Sequence, residues 1–174
     1  MLKIALTGGI GTGKTYLSKH FIEMGIPVFY ADEEAKKLYS DSIVLLQIKA
    51  KFGTSVFSNQ QIDFAKLAAL VFSDSKALEW MNRLIHPIVL QLFDQWSIDQ
   101  NTPTVMMESA IIYEAHLEGF FDKIIVVDAP LQVRIERIKK RSPHLKDEEI
   151  MKRIEAQISQ EEKCKRADLV LLNN

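Results

Sequence analysis

Eight residues near the start of the chain, Gly8 to Thr15, combine four glycines, one lysine and two threonines. Glycine, four residues, glycine, lysine and threonine follow in the order of the P-loop pattern. Glycines let successive backbone N–H groups approach phosphate oxygens closely, and the start of a helix adds partial positive charge. The stretch therefore predicts a phosphate cradle for a nucleoside triphosphate. The other interpretation is a glycine-rich turn that carries a surface lysine.

The pattern assigns roles to individual residues of the cradle. Lys14 is expected to reach the β- and γ-phosphates, and Thr15 is expected to offer its hydroxyl to Mg²⁺. The predicted ATP contacts within the stretch are Gly9, Ile10, Gly11, Thr12, Gly13, Lys14, Thr15 and Tyr16. A P-loop indicates a nucleotide but does not name a reaction. A switch GTPase is not favoured, because neither the DxxG string nor the [N/T]KxD string of those proteins occurs in the sequence.

Predicted strands and helices alternate around the cradle. Leu2–Thr7 is a short apolar run that predicts a buried strand, and Lys14–Met24 has the spacing of a helix that ends at Gly25. The later predicted elements begin with a strand at IPVFY and a helix at ADEEAKKLY. Helical stretches follow from about Ser42 to Gln100, interrupted at Gly53, at the polar SNQQ and at Pro87. The last predicted elements are strands at TVMME and KIIVVDAP, helices over Leu131–Arg141 and Asp147–Cys164, and a strand at DLVLLNN.

Short apolar strands that alternate with helices are typical of a parallel sheet covered on both faces. We therefore predict an α/β fold of the P-loop NTPase type, with a five-stranded parallel sheet flanked by helices. By analogy with small-molecule kinases, the helical insertion is expected to bind the substrate, and the basic segment after Arg137 is expected to begin a short lid. Residues 1–174 are expected to form a single P-loop kinase domain. Its predicted parts are a nucleotide-binding core at 1–32, 103–138 and 165–174, a helical acceptor-binding insertion at 33–102, and a lid at 139–156.

Composition narrows the class of protein. The chain has 174 residues, 47% of them apolar, and a formal net charge of −1, so a basic nucleic-acid binder is not expected. No stretch approaches the ~20 apolar residues of a membrane span, and no signal peptide is apparent. The single cysteine, Cys164, has no intrachain partner. These features predict a cytoplasmic protein without a nucleic-acid or membrane partner, and they leave the oligomeric state open between a monomer and a small homo-oligomer.

Several segments beyond the cradle share their order and spacing with one known family. They are GIPVFYADEEAKKL, MNRLIHPIV, ESAIIYEA, DKIIVVDAPLQVRIERIKKR and RIEAQISQEEKCKRADLVLLNN. With the opening IALTGGIGTGKT, these segments resemble the dephospho-CoA kinases over nearly the full length. P-loops are shared widely, but one set of residues is specific when taken together: Asp32, His86, Pro87, Arg137, Arg141, Gln157 and Asn173.

The resemblance implies ATP-dependent phosphorylation of the ribose 3′-hydroxyl of dephospho-CoA, which gives coenzyme A and ADP in the last step of coenzyme A synthesis. It implies ATP as co-substrate, Mg²⁺ as cofactor and dephospho-CoA as the small-molecule partner. The catalytic residues would be Lys14, Asp32 and Arg141. Two alternatives stay open: a P-loop kinase of another small acceptor, such as a nucleoside monophosphate, and a regulatory module that binds ATP without catalysis.

Two acidic residues carry the predicted chemistry of transfer. Asp32 would accept the proton of the attacking hydroxyl, although aspartate is also favoured as a plain helix N-cap. Glu108 would order Mg²⁺ together with Thr15, although it could instead cap the next segment. Glu108 also stands where the family more usually has aspartate.

Polar residues near the end of the chain are implied to contact ATP. Arg137 and Arg141 are four residues apart and share one helix face, from which they would close over the triphosphate. The alternative is that they belong to a solvated basic face. Asn173 would help to frame the adenine.

The acceptor contacts are implied to come mainly from the insertion. The predicted substrate-binding residues are Asp32, Lys36, Arg83, His86 and Glu114, with Lys37 as a further basic candidate for the pyrophosphate. Two positions depart from the family, because Phe64 and Leu90 stand where arginine is common. His86 could instead be a core histidine that serves only as a hydrogen-bond partner.

Overall fold

Two units form the chain in a computed structural model, which describes residues 1–59 and 61–174, all of these but Phe72 with their side chains. The first unit comprises Met1–Tyr30 and Trp96–Asn174, and the second comprises Ala31–Gln95. The strands are β1 (Leu2–Thr7), β2 (Val28–Tyr30), β3 (Phe57–Ser58), β4 (Gln61–Ile62), β5 (Thr104–Glu108), β6 (Lys123–Asp128) and β7 (Leu169–Leu172). The α-helices are α1 (Lys14–Glu23), α2 (Ala31–Leu38), α3 (Ser42–Phe52), α4 (Phe64–Ser73), α5 (Ser75–Asp99), α6 (Leu131–Arg141), α7 (Asp147–Glu155) and α8 (Gln160–Arg166).

The first unit is built on a five-stranded sheet with the order β2-β5-β1-β6-β7. Every neighbouring pair is parallel, which confirms the predicted α/β fold. The core cluster of this sheet consists of Ile4, Leu6, Val28, Met106, Ile125 and Val127. Such near-continuous apolar runs are expected in strands that are covered on both faces.

Strand register places the chemistry at one edge of the sheet. Leu6 of β1 pairs with Glu108 of β5, and Tyr30 of β2 pairs with the same residue. Thr7 pairs with Val126 on the other side of β1. Because the strands are parallel, the loop that starts at Gly8 lies beside the carboxyl ends of both neighbours of β1, where ligands of open α/β sheets bind.

The second unit contains α2 to α4 and the larger part of α5. Its β3 and β4 pair in an antiparallel way, Phe57 with Ile62, at the polar stretch SNQQ, where the sequence predicted a break between helices and no strand. Gln60 of that stretch lies outside the described residues. Runs of two residues are too short to show an alternating pattern. The predicted insertion at 33–102 overlaps this unit, and its role in acceptor binding stays a prediction.

Pro87 lies inside helix α5, so the expectation that it interrupts the helix is wrong. A proline there removes one helical hydrogen bond and crowds the preceding turn. The helix continues because one face is buried at every fourth residue, at Met81, Ile85, Val89 and Phe93. Burial of that face outweighs the local cost of the proline.

The predicted helix over Asp147–Cys164 is two helices, α7 and α8. The break is explained by Ser159, whose side chain accepts a hydrogen bond from the backbone N–H of Glu162 and caps α8. Ser159 and Glu162 have the spacing of a helix start that was present in the sequence. No helix within residues 1–59 and 61–174 is both long enough and apolar enough to cross a membrane.

Candidate nucleotide-binding site

The loop between β1 and α1 has the backbone that its glycines were predicted to allow. Gly11 has a φ of 84° and Gly13 a φ of 92°, a region that residues with a Cβ rarely adopt. A Cβ on Gly11 would lie 2.7 Å from the carbonyl oxygen of Arg134. Gly13 is the N-cap of α1, so the loop leads directly into the positive end of a helix.

Lys14 lies within the curve of this loop. Its side chain is buried, and Nζ donates to the carbonyl oxygen of Gly8 over 2.9 Å and to that of Gly9 over 3.5 Å. The ammonium is therefore held against the same backbone whose glycines approach phosphate in the P-loop pattern. This position fits the predicted contact with phosphate.

Thr15 and Glu108 are brought together from opposite parts of the sequence. The Thr15 hydroxyl donates to Glu108 Oε2 over 3.0 Å, and the Glu108 side chain is buried at the end of β5. Carboxylate and hydroxyl oxygens suit Mg²⁺, which usually takes one or two carboxylates and completes its shell with water and phosphate oxygens. The pair fits the predicted metal site.

Side chains from α6 and the end of β7 hold the outer side of the loop. Arg137 Nη1 donates to the carbonyl oxygen of Thr12 over 3.3 Å and to that of Asn173 over 2.9 Å. Asn173 Nδ2 also donates to the Thr12 carbonyl oxygen, over 2.8 Å. The predicted ATP residues Arg137 and Asn173 thus contact the backbone of the cradle.

Arg134 is a site residue that the sequence analysis did not single out. It is 6% exposed, and its Nε donates to the carbonyl oxygen of Ile10 over 3.0 Å. Burial lowers the pKa of this guanidinium, and the charge of Asp128 opposes that shift. Arg134 and Arg137 are three residues apart on α6, so one face of the helix serves the loop. The spacing of three residues from Arg137 was the signal in the sequence that could have identified Arg134.

Two glutamines were also missed. Gln157 Oε1 accepts from the backbone N–H of Ile10, and Gln160 Oε1 accepts from that of Gly9, each over 2.8 Å. Gln157 was part of the motif set that carried the family resemblance, but it was given no role. For Gln160 the sequence offered no signal.

Glu114 was predicted to contact the substrate, and the structure places it in a buried ion pair. Its Oε1 lies 2.7 Å from Nζ of Lys163, a fully buried lysine. The same oxygen accepts from the backbone N–H of Ile158 over 3.1 Å. Burial lowers the pKa of Lys163, and the hydrogen bond and charge of Glu114 oppose that shift. This arrangement favours a structural role for Glu114.

The other predicted acceptor residues lie in the second unit. Asp32 is exposed and is the second residue of α2. It therefore lies in the first turn of the helix, and the alternative interpretation of Asp32 as the N-cap of α2 is wrong. Arg83 pairs with Glu79 over 2.6 Å on α5. His86 lies on the same helix, and burial lowers its pKa. Lys36 is exposed on α2.

Two predicted ATP residues are exposed and stand at helix ends. Arg141 is the last residue of α6. Tyr16 is 60% exposed in the first turn of α1, where its ring packs edge-on against His20 with the centroids 4.9 Å apart. Their roles in ATP binding stay predictions.

The cradle, its buried lysine and the parallel sheet define a P-loop protein with the fold of small-molecule kinases. A crystal structure of a Thermus thermophilus protein has a TM-score of 0.90, is 33% identical and covers 99% of this chain and 88% of its own. The structure titled dephospho-CoA kinase from Campylobacter jejuni has a TM-score of 0.67 at 26% identity, covering 99% of this chain and 88% of that one. A shikimate kinase from Acinetobacter baumannii shares the fold alone, with a TM-score of 0.56 at 16% identity, covering 100% and 84% of the two chains.

The family model described as dephospho-CoA kinase matches residues 2–174. The chain belongs to the dephospho-CoA kinase family, which confirms the resemblance seen in its motifs. A relative of that name from Bacteroides fragilis is 40% identical over 99% of this chain and 85% of its own length. Another, from Fusobacterium nucleatum, is 34% identical over 98% of this chain and 89% of its own length.

Proposed function

We propose that the chain transfers the γ-phosphoryl group of ATP to the ribose 3′-hydroxyl of dephospho-CoA, with coenzyme A and ADP as products. One observation carries this proposal: the phosphate cradle is intact, with Lys14 buried in it, in a chain that belongs to the dephospho-CoA kinase family. A cytoplasmic location forms part of the proposal, because the single Cys164 has no intrachain partner.

Lys14 and the cradle would supply the electrostatic part of catalysis. Transfer of a phosphoryl group spreads negative charge over its oxygens, and fixed donors that face those oxygens stabilise the transition state. The ammonium of Lys14 and the first backbone N–H groups of α1 would be such donors. Arg137 and Asn173 would act through the loop, since both bond to the carbonyl oxygen of Thr12.

Thr15 and Glu108 would hold Mg²⁺ at the end of β5. The ion, when bound, neutralises charge on the phosphates. The Glu108 side chain is buried and accepts a hydrogen bond from the Thr15 hydroxyl. Both features would fix its carboxylate oxygens in place for this role.

Asp32 would accept the proton of the acceptor hydroxyl. It comes two residues after Tyr30, the last residue of β2, which pairs with Glu108. β2 therefore ends level with Glu108, two residues before Asp32 in the sequence. A carboxylate that faces the acceptor hydroxyl can serve as a general base or as a positioning group for it.

Basic residues of the second unit would contact the pyrophosphate of the acceptor. Lys36 and Arg83 are both exposed, and Arg83 is held by a surface ion pair with Glu79 that costs little to break. His86 would contribute as a neutral imidazole, since burial lowers its pKa.

One assay separates this function from the two alternatives. ADP release would be measured with ATP alone, with ATP and AMP, and with ATP and dephospho-CoA. We expect fast release only with dephospho-CoA, because binding of its remote pantetheine arm contributes to the rate as well as to the affinity. Equal turnover of AMP would indicate a nucleotide kinase. Nucleotide binding without release in any of the three would indicate a regulatory module.

A further inference from the structure

Two amides near the start of the phosphate loop are held by glutamine side chains that come from the far end of the sequence. The Gly9 N–H donates to Gln160 and the Ile10 N–H to Gln157. Gln160 also donates from Nε2 to the carbonyl oxygen of Val127 over 2.8 Å. One side chain thus connects the loop to the end of β6, the strand beside β1.

These contacts control which way the loop backbone faces. A P-loop works because its later N–H groups converge on phosphate, and the orientation of each peptide constrains the next. The N–H groups of Gly9 and Ile10 donate to the glutamines, and Arg134 donates to the carbonyl oxygen of Ile10, so side chains hold both the N–H and the carbonyl groups at the start of the loop.

A buried ion pair holds the segment that carries the two glutamines. Glu114 accepts from the N–H of Ile158, the residue after Gln157. Lys163, three residues after Gln160 in α8, lies against Glu114 and donates to the carbonyl oxygen of Ala110 over 2.9 Å. The turn before α8 and the helix itself are therefore both anchored to the segment that follows β5.

We infer that Gln157 and Gln160 are positioning residues, which hold the start of the phosphate loop in its ATP-binding shape, and that the Glu114–Lys163 pair sets their place. The inference rests on the proposed nucleotide role of the loop and is independent of the acceptor. A single strand, β5, then supports the loop by two routes: Glu108 meets Thr15 directly, and the residues after it anchor the glutamines.

The test uses backbone hydrogen exchange in the full chain together with ATP affinity. In Gln157→Met we expect faster exchange at Ile10, and in Gln160→Met faster exchange at Gly9, each by about 3- to 10-fold for one lost hydrogen bond. ATP affinity, measured without any acceptor, should fall about tenfold in each variant, which corresponds to ~1.4 kcal/mol. Gln157→Glu keeps an acceptor for the Ile10 N–H, so its exchange should match the wild type.

Gln132→Met is the matched control, because Gln132 is exposed on α6 and bonds only to Glu136 among the contacts described. It should change neither the exchange rates at Gly9 and Ile10 nor the ATP affinity. Unchanged exchange at Gly9 and Ile10 in the two site variants would overturn the proposal. So would faster exchange with unchanged ATP affinity, because the contacts would then be structural only. Both readouts remain valid if dephospho-CoA proves not to be the acceptor.

The ion pair is tested by Lys163→Met, which should speed exchange at both amides together. That variant leaves the Glu114 carboxylate buried without its cation and can fail to fold. The double variant Glu114→Gln/Lys163→Met removes both charges and keeps an oxygen for the Ile158 N–H, and it should still exchange faster at both amides. Lys123→Met, which removes the exposed pair with Asp168, is the control. Wild-type exchange in the folded double variant would refute the role of the pair.

Discussion

The hydroxyl of Thr15, at the start of α1, donates a hydrogen bond to Oε2 of Glu108, at the end of β5, over 3.0 Å. The two residues are 93 positions apart in sequence. They meet because β5 pairs with β1 in parallel and Leu6 is level with Glu108. The two oxygens therefore form one side of the proposed metal site before any ligand binds.

Replacing Glu108 by glutamine tests that site. The Glu108→Gln side chain keeps its size and can still accept from Thr15, but it loses the charge that favours Mg²⁺. We expect the Mg²⁺ concentration for half-maximal rate to rise by about 10- to 100-fold, the usual range for a disturbed metal shell. A magnesium titration of the initial rate measures this. Glu136→Gln, on the exposed face of α6, is the control and should leave the titration unchanged, whereas a wild-type titration for Glu108→Gln would contradict the assignment.

Lys14 is expected to be essential for transfer. Lys14→Ala removes the ammonium bonded to Gly8, which stabilises charge as it builds on the transferred group. The rate should fall to less than a tenth, a barrier increase above ~1.4 kcal/mol, while the circular dichroism spectrum stays that of the wild type. Lys19→Ala, exposed on the same helix, serves as the comparison. More than a tenth of the wild-type rate in Lys14→Ala would make the assignment of the cradle wrong.

The sequence predicted the parallel sheet and the cradle because both depend on local patterns. Apolar strands followed by helices specify a parallel sheet, and the spacing from Gly8 to Thr15 specifies the loop. Contacts between distant side chains carry no such pattern. Gln160 is one polar residue among many in a charged helix, and only the structure shows that it lies against Gly9.

For Glu114 the sequence predicted a role that the structure does not favour. Its place in a family motif favoured a substrate contact, and nothing in the sequence pointed to Lys163, which stands among four other charged residues from Glu161 to Arg166. Lysine is seldom fully buried, so periodicity would assign Lys163 to the surface. The buried pair depends on how α8 packs beside the segment after β5, which is a tertiary property.

Arg141 tests the predicted lid. It is exposed at the end of α6, next to the segment that is predicted to close over ATP. Arg141→Ala should lower kcat more than it lowers ATP affinity, because a closing arginine acts mainly on the transition state. Steady-state kinetics and direct ATP binding are compared with those of Lys140→Ala, the exposed neighbour. An unchanged kcat would return Arg141 to the solvated basic face.

His86 should make stability depend on pH. Burial lowers its pKa in the folded chain below the ordinary value of 6.5. At a pH between the folded and unfolded pKa values, the unfolded chain therefore binds a proton more readily than the folded chain. The free energy of unfolding should therefore decrease as pH falls from 7 through this window. Urea unfolding from pH 7.5 to 5 measures the slope, which His86→Asn should reduce. A wild-type slope in folded His86→Asn would contradict the prediction.

Asp32 has two proposed roles, a charge that interacts with the helix dipole and a general base, and Asp32→Asn separates them. Asp32 stands in the first turn of α2, where its charge interacts with the helix dipole, and asparagine preserves its size. If that interaction were its only role, the change would cost roughly 0.3–1 kcal/mol of stability and leave the rate unchanged. A general base behaves differently, because an amide cannot accept the proton of the hydroxyl, and kcat should fall by about 10²–10⁴-fold while ATP still binds. We expect the lower end, about a hundredfold, because a loose transition state needs little deprotonation before transfer.

Glu33→Gln, the exposed neighbour in the same turn, controls for the dipole effect. Full activity in folded Asp32→Asn would remove Asp32 from the mechanism.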